Sequence, residues 1–272
     1  MKTFGASIPI GIGDLIYIKA MFEPIKHEFS EINLKFHREL IIKFSRDASY
    51  NVFIDEFGKL LFGEAPYILN NGSFPYCSLS EIVINHGIVP HKPELAHILC
   101  GGTPLDLGAP YIVINTKIRS IPNSHLEEKI REFWSLLNIL SEKYKIVILG
   151  EKVIEMNQEY QIYTEQHIYS LYTHIYNNIP ADRLIDLTVP ALGITAPNLQ
   201  HIQQDCLIMN QAKFVINFGI GGGFCLATAV ANTIGYRYDD DLIADRVFDR
   251  VYPNAMITKD WSSFIQKLEQ YL

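Results

Sequence analysis

Gly219, Gly221, Gly222 and Gly223 interrupt a charge-free run that extends from Lys213 to Arg237. Glycine lets a chain turn sharply and brings backbone N–H groups close to a ligand with no Cβ in the way. The residues that follow, Phe224 to Thr233, are rich in Ala and Leu and read as a helix. The glycines therefore open onto a helix N-terminus, whose unpaired amides attract an anion such as a phosphate. A second glycine turn, Gly11-Ile12-Gly13-Asp14, carries a carboxylate and precedes a helical pattern from Leu15 to Phe29. At a helix start, Asp14 is most simply an N-cap that accepts hydrogen bonds from first-turn amides. Lys117 and Arg119 lie in the polar turn Thr116-Lys117-Ile118-Arg119, and Glu151 follows Gly150 at the end of a strand-like run. A cation in a surface turn is ordinarily solvated, and a carboxylate just past a strand ordinarily belongs to the first turn of a helix.

Each cluster has competing explanations. The charge-free run has the length of a membrane span, with Gly219 and Gly223 spaced as in a GxxxG packing face. Four glycines and Asn217 argue against that. A plain strand, turn and helix with no ligand is the second alternative, and a nicotinamide-type GxGxxG turn is a third that fits the spacing poorly. Asp239-Asp240-Asp241 has the form of a DxD metal site, or of a solvated loop, and its position after the last glycine unit favours the loop. The histidines show no HExxH or paired spacing, and His86 and His91 read as lying in a proline-rich loop, so no zinc site is expected.

The elements that must position these groups follow from hydrophobic patterning. The chain has 272 residues, 48% of them hydrophobic, which is enough for one large domain or two small ones. A net charge of −7 without Lys and Arg clusters excludes a general nucleic-acid or anionic-membrane surface. Cys77, Cys100, Cys206 and Cys225 form no CxxC pair, and no leader segment is visible, so a reducing, cytoplasmic setting is expected. Strands are predicted at Thr3 to Pro9, Ile32 to Phe36, Tyr67 to Leu69, Tyr111 to Asn115, Lys145 to Leu149, Leu184 to Leu187 and Phe214 to Phe218. Helices are predicted at Tyr50 to Phe62, Leu79 to Ile88, His125 to Tyr144, Ile162 to Tyr176, Asn198 to Asn210 and Trp261 to Leu272. Pro90 to Pro110 reads mostly as loop and places a domain boundary near Leu105 to Ala109, giving units of 1–107 and 108–272. Alternation of strand and helix makes this an α/β chain with parallel sheets and helices on both faces.

Two Rossmann-like halves, a GxGD turn near the N-terminus and a glycine-rich turn near the C-terminus resemble a GT-B glycosyltransferase. The closer resemblance is to glycosyltransferase family 9, the lipopolysaccharide heptosyltransferase group. Gly11-Ile12-Gly13-Asp14 matches that family's first loop. Tyr111 to Asn115 followed by Thr116 to Arg119 resembles its strand and Lys-bearing turn, and Ile148-Leu149-Gly150-Glu151 resembles its strand ending in Gly and Glu. Asn198 to Asn210 resembles a family helix. Ile220 to Leu226 falls where the family has an Asp-Thr/Ser-Gly-x-x-His-Leu turn; here Ile220-Gly221-Gly222 and Cys225 replace its polar residues, leaving backbone amides to supply the contacts. The N-terminal unit is also shorter than is usual in the family.

The resemblance implies a nucleotide-diphosphate sugar as donor, held mainly by the C-terminal unit, and a glycan or glycolipid acceptor on the N-terminal one, with no metal cofactor. It implies Asp14 as general base for the acceptor hydroxyl. Lys117 is implied as the cation that stabilises the departing diphosphate, with Arg119 as a second. Gly11, Gly13, Thr116, Gly219, Gly221, Gly222, Gly223, Phe224 and Cys225 are implied at the nucleotide sugar, and Glu151 at its ribose or base. Two other classes compete: another sugar-nucleotide or nicotinamide enzyme built on Rossmann units, and a non-catalytic binding module that keeps the fold.

Overall fold

The computed structural model describes residues 1–38, 48–88, 94–119, 126–150, 168–170, 172–189, 198–218, 221–236, 256–258 and 260–272. The chain starts with β1 (Lys2–Ile8), α1 (Ile12–Phe22), one stretch of 3-10 helix (Glu23–Glu28), β2 (Phe29–Phe36), α2 (Ala48–Phe62) and β3 (Tyr67–Leu69). These strands form a parallel sheet in the order β1-β2-β3. Its residues alternate: Phe4, Ala6, Ile8, Ile32 and Leu34 enter the core with α1 and α2, while Thr3, Ser30 and Glu31 are exposed. Period-two alternation of this kind makes a sheet with one core face. On β1, Gly5 lies against the Phe74 ring, so the segment after β3 crosses the sheet there.

α3 (Leu79–His86) and the single-turn α4 (Ala96–Leu99) lead to the second sheet. The connection is fastened to the helices of the second half. The Leu95 amide donates to the Ala229 carbonyl at 2.9 Å and the Gly101 amide to Gln203 at 3.1 Å. The Gln204 side chain clamps Thr103, accepting from its amide at 2.8 Å and donating to its carbonyl at 2.7 Å.

The second half contains β4 (Tyr111–Asn115), β5 (Lys117–Arg119), α5 (Leu126–Lys143), β6 (Lys145–Leu149), β7 (Ile168–Ser170), α6 (Tyr172–Asn178) and β8 (Leu184–Asp186). α7 (Leu199–Gln211), β9 (Val215–Phe218), α8 (Gly222–Val230), β10 (Thr233–Tyr236), β11 (Met256–Thr258) and α9 (Trp261–Glu269) complete it. Six parallel strands stand in the order β11-β10-β9-β4-β6-β8. Counted along the chain, the order is 3-2-1-4-5-6 read from β8, that of a doubly wound sheet. Both faces are covered. Val113, Val147 and Val215 pack with Ile202, Cys206 and Phe224 of α7 and α8 in a core that continues into the small sheet. Ile112, Ile114, Ile146, Ile148 and Ile216 pack on the opposite side with Phe133 and Leu137 of α5 and Phe264 of α9. The run of β-branched residues in β4 and β6 thus buries every second side chain on each face.

Several expectations give way. The helix expected from Leu15 to Phe29 ends at Phe22, where Pro24 enters a 3-10 turn, and Phe29 already belongs to β2. The polar turn Thr116 to Arg119 contains strand β5, paired antiparallel with β7. That pairing also divides the helix expected from Ile162 to Tyr176: residues 168–170 are strand and the helix begins at Tyr172. The helix expected from Phe224 to Thr233 ends at Val230 and Thr233 begins β10, so the charge-free run holds a strand, a nine-residue helix and a second strand, in keeping with the reading against a membrane span. No helix among the described residues is long and apolar enough to cross a membrane. All four cysteines are free thiols.

Candidate functional site

At the carboxyl end of β1 the chain turns through Gly11 into α1. Gly11, with extended φ and ψ, occupies the N-cap position, and Asp14 is the third helical residue, not the cap. The Asp14 carboxylate folds back and accepts the Gly11 N–H, half of a capping box. That geometry explains the glycine: a Cβ at residue 11 would come within 2.5 Å of Asp14 Oδ2. Burial raises the Asp14 carboxyl to about 6, opposed by the Gly11 hydrogen bond. Asp14 nevertheless keeps part of its surface open to solvent. A carboxylate near neutrality and within reach of solvent has the properties of a general base.

In the large sheet, successive strands run from β4 toward β8 and then from β9 toward β11. The direction reverses between β4 and β9, and ligands of open α/β sheets bind in the crevice outside the carboxyl ends at such a point. Here those ends carry amides. Asn115 Nδ2 donates to Asn217 Oδ1 at 2.7 Å, and Asn217 is buried. Thr116, also buried, donates both its amide and its hydroxyl to the Leu149 carbonyl, at 3.0 and 3.1 Å. The glycine turn then opens α8 at the same edge. Gly221 is its N-cap, so the first-turn amides of Gly222, Gly223 and Phe224 precede the intrahelical ladder, which starts with the Cys225 amide donating to Gly221 at 3.0 Å. The Phe224 and Cys225 side chains turn into the core, and Gly223 is exposed.

Packing of α1 on α8 joins the two turns. A Cβ on Gly13 would lie 2.9 Å from Cys225 Sγ, and one on Gly222 would lie 3.4 Å from Ile12 Cβ. The first turn of the helix that carries Asp14 therefore rests directly on the first turn of α8. Glycine at 13 and 222 is what permits this approach. Two helix N-termini, each a partial positive charge, converge on the mouth of the crevice.

Of the other expected site residues, Lys117 and Arg119 lie on β5, two and four positions after the end of β4. Glu151, Gly219 and the run Asp239 to Asp241 fall outside the described residues. Among the described residues no group of three or more His, Cys, Asp or Glu side chains is arranged to hold a metal. Asn115 and Asn217 were not expected in the site. Their signal is nevertheless present in the sequence, an amide at or near the carboxyl end of two otherwise apolar strands.

No family model matches the sequence, and no curated protein does. Among solved structures, the chain is similar to the dodecameric iron-containing heptosyltransferase TibC in complex with ADP-D-β-D-heptose, with 12% identity and a TM-score of 0.39. That match covers 87% of this chain and 60% of TibC, so the chain spans about three-fifths of TibC's length. It is also similar to a glycosyl transferase of family 9 from Veillonella parvula, with 12% identity and a TM-score of 0.46, over 99% of this chain and 97% of the other.

Proposed function

We propose that this protein is a glycosyltransferase that moves a sugar from a nucleotide-diphosphate sugar to an acceptor hydroxyl, without a metal and with inversion. The observation that carries the proposal is the seating of the Asp14 turn on the glycine turn of α8. A base and an anion-binding helix end that are far apart in sequence thereby share one mouth. The motif resemblance at Gly11 to Asp14 points the same way, while Ile220 to Leu226 keeps the position of the family's turn without its polar residues.

In this account the donor lies in the crevice between β4 and β9, with its diphosphate against the amides of Gly222, Gly223 and Phe224. Lys117 and Arg119 supply cations to the same charge, Glu151 borders the nucleoside, and 108–272 acts as the donor unit; Thr116, buried and bonded to Leu149, holds the end of β4 beside the crevice and does not reach the ligand. The acceptor lies against 1–107. Its hydroxyl proton passes to the Asp14 carboxylate as its oxygen forms a bond to the anomeric carbon. The bond from that carbon to the diphosphate oxygen breaks on the opposite face, and the diphosphate leaves with the electron pair. Amide donors fixed in place before reaction stabilise that developing charge without reorganisation.

The test is Asp14→Asn, assayed for turnover and for nucleotide binding in parallel. Retained nucleotide affinity with turnover lowered by at least about a hundredfold supports the base assignment. Unchanged turnover would remove it. Loss of nucleotide binding together with turnover would assign Asp14 to the structure of the turn alone.

A further inference from the structure

The small sheet has a switch point of its own. β1 has β2 on one side, and on its other edge Tyr76 forms a parallel bridge with Ser7. Hydrogen bonds fix that bridge: the Ser7 amide donates to the Pro75 carbonyl and the Cys77 amide to the Ser7 carbonyl, both at 2.8 Å. Tyr76 therefore occupies the fourth-strand position of a 3-2-1-4 order. The crevice outside the carboxyl end of β1 lies between that position and β1, where open α/β sheets bind ligands.

Three side chains come to this edge. Asp14 arrives from the turn after β1, His37 directly follows β2, and Tyr76 stands on the added edge. The Tyr76 ring packs on the His37 ring at 4.7 Å and 47° yet keeps 38% of its surface exposed. His37 is itself held, with Nδ1 and the buried Ser7 Oγ sharing a hydrogen bond at 3.2 Å and its amide donating to Ile8 at 2.8 Å. An exposed aromatic ring on a locked backbone, backed by a second ring, differs from a tyrosine at rest on a mobile loop. The Tyr76 phenol, a protonated hydrogen-bond donor at neutral pH like any tyrosine, is pushed further up by burial and then by the charges of Asp14, Glu81 and Cys77.

We propose that Tyr76, backed by His37, is the acceptor subsite: a platform on which a pyranose ring stacks, with the phenol bonded to a sugar hydroxyl beside the one that Asp14 deprotonates. The inference rests on the reading of Asp14 as the base. An amphipathic ring suits such a ligand, because a sugar presents C–H groups from one face and hydroxyls from its rim, and tyrosine offers an apolar face with a polar tip.

The test is saturation-transfer NMR on the full chain with methyl glycosides of hexoses and heptoses, with and without nucleotide diphosphates. Wild type, Tyr76→Ala and Tyr76→Phe are compared, with thermal unfolding as the control for folding. At least one glycoside should bind at millimolar concentration. Its affinity should fall by about tenfold in Tyr76→Ala and by only about threefold in Tyr76→Phe, which keeps the ring. Undiminished binding to folded Tyr76→Ala, or no glycoside binding to wild type under either condition, overturns the proposal. So does a loss of nucleotide affinity in folded Tyr76→Ala, which would place the ring on the donor side. Glycoside binding that depends on Tyr76 in a protein silent to every nucleotide would keep the sugar subsite and remove the transferase reading, so the two failures are distinguishable.

Discussion

Replacing Asp14 by asparagine should stabilise the protein at neutral pH, and the gain should depend on pH in a defined way. The Asp14 carboxyl titrates at about 6 in the folded chain, against an ordinary value of 3.8. At about 1.4 kcal/mol per pH unit, the difference amounts to about 3 kcal/mol favouring the protonated carboxyl in the folded state. The folded value lies above the unfolded one. The stabilisation is therefore complete below about pH 4, is lost as pH rises through about 6, and is absent at neutrality. Above that range the wild type carries a desolvated negative charge that asparagine does not have. The substituted amide keeps an oxygen able to accept the Gly11 N–H, at some loss of strength compared with a carboxylate. Urea unfolding of both proteins between about pH 4 and pH 7.5 should thus show a stability difference near zero at the acid end. The difference should grow to about 2–3 kcal/mol in favour of Asp14→Asn at the neutral end, on the order of 5 °C in Tm. A flat difference, or a variant less stable at every pH, would refute the claim that burial governs this carboxylate and would leave it only the role of accepting the Gly11 N–H.

The same titration should appear in catalysis as turnover that falls when pH drops through about 6, measured as a pH–rate profile, and an acid limb displaced well below that would remove Asp14 as the base. Gly13→Ala should cost about 1–3 kcal/mol because its Cβ would press on Cys225 Sγ at 2.9 Å. Adding Cys225→Ala should recover at least about 1 kcal/mol of coupling in a double-mutant cycle by urea unfolding, whereas additive losses would mean that the two helix ends do not touch there. Lys19 is buried, bonded to Glu23 at 2.8 Å and placed 4.1 Å from the Tyr67 ring centre, while Glu23 also holds Lys26 at 2.6 Å. Glu23→Ala, which strands a buried ammonium, should cost about 3 kcal/mol or more, and Lys19→Met less than half of that; the reverse order in urea unfolding would contradict this account of the ion pair.

Where burial on both faces dictated composition, the sequence was legible. Tyr111 to Asn115 and Lys145 to Leu149 are strands over the full predicted ranges because continuous β-branched runs admit few alternatives. β10 and β11 were not predicted. Thr233 to Tyr236 has a glycine in its centre and Met256 to Thr258 is three residues long, so neither carries a periodic signal, and pairing with β9 and with each other makes them strands. β7 was hidden in a tyrosine-rich helical pattern because its partner β5 lies about fifty residues earlier. The glycine turns were legible as turns. That α1 and α8 touch was not, since Gly13 and Cys225 are brought together only by packing. The placement of Tyr76 beside β1 is likewise a product of topology, one bridge at the end of a crossing segment with no strand pattern of its own.

The most direct test of the central claim is isothermal titration of UDP, GDP, ADP and CMP, with EDTA present, into wild type and Gly223→Asp. Gly223 is exposed, and a Cβ there meets nothing nearer than Asn115 Nδ2 at 3.9 Å, so the substitution fits the fold. An aspartate in the first turn of α8 also suits the helix dipole, and losing a helical glycine favours the folded state, so stability should hold or rise by up to about 1 kcal/mol. Its charge would lie where the diphosphate is proposed to bind. The account predicts that one nucleoside diphosphate binds wild type without metal and loses at least about tenfold in affinity in the variant. No diphosphate binding to wild type, or binding that Gly223→Asp leaves intact, would contradict it.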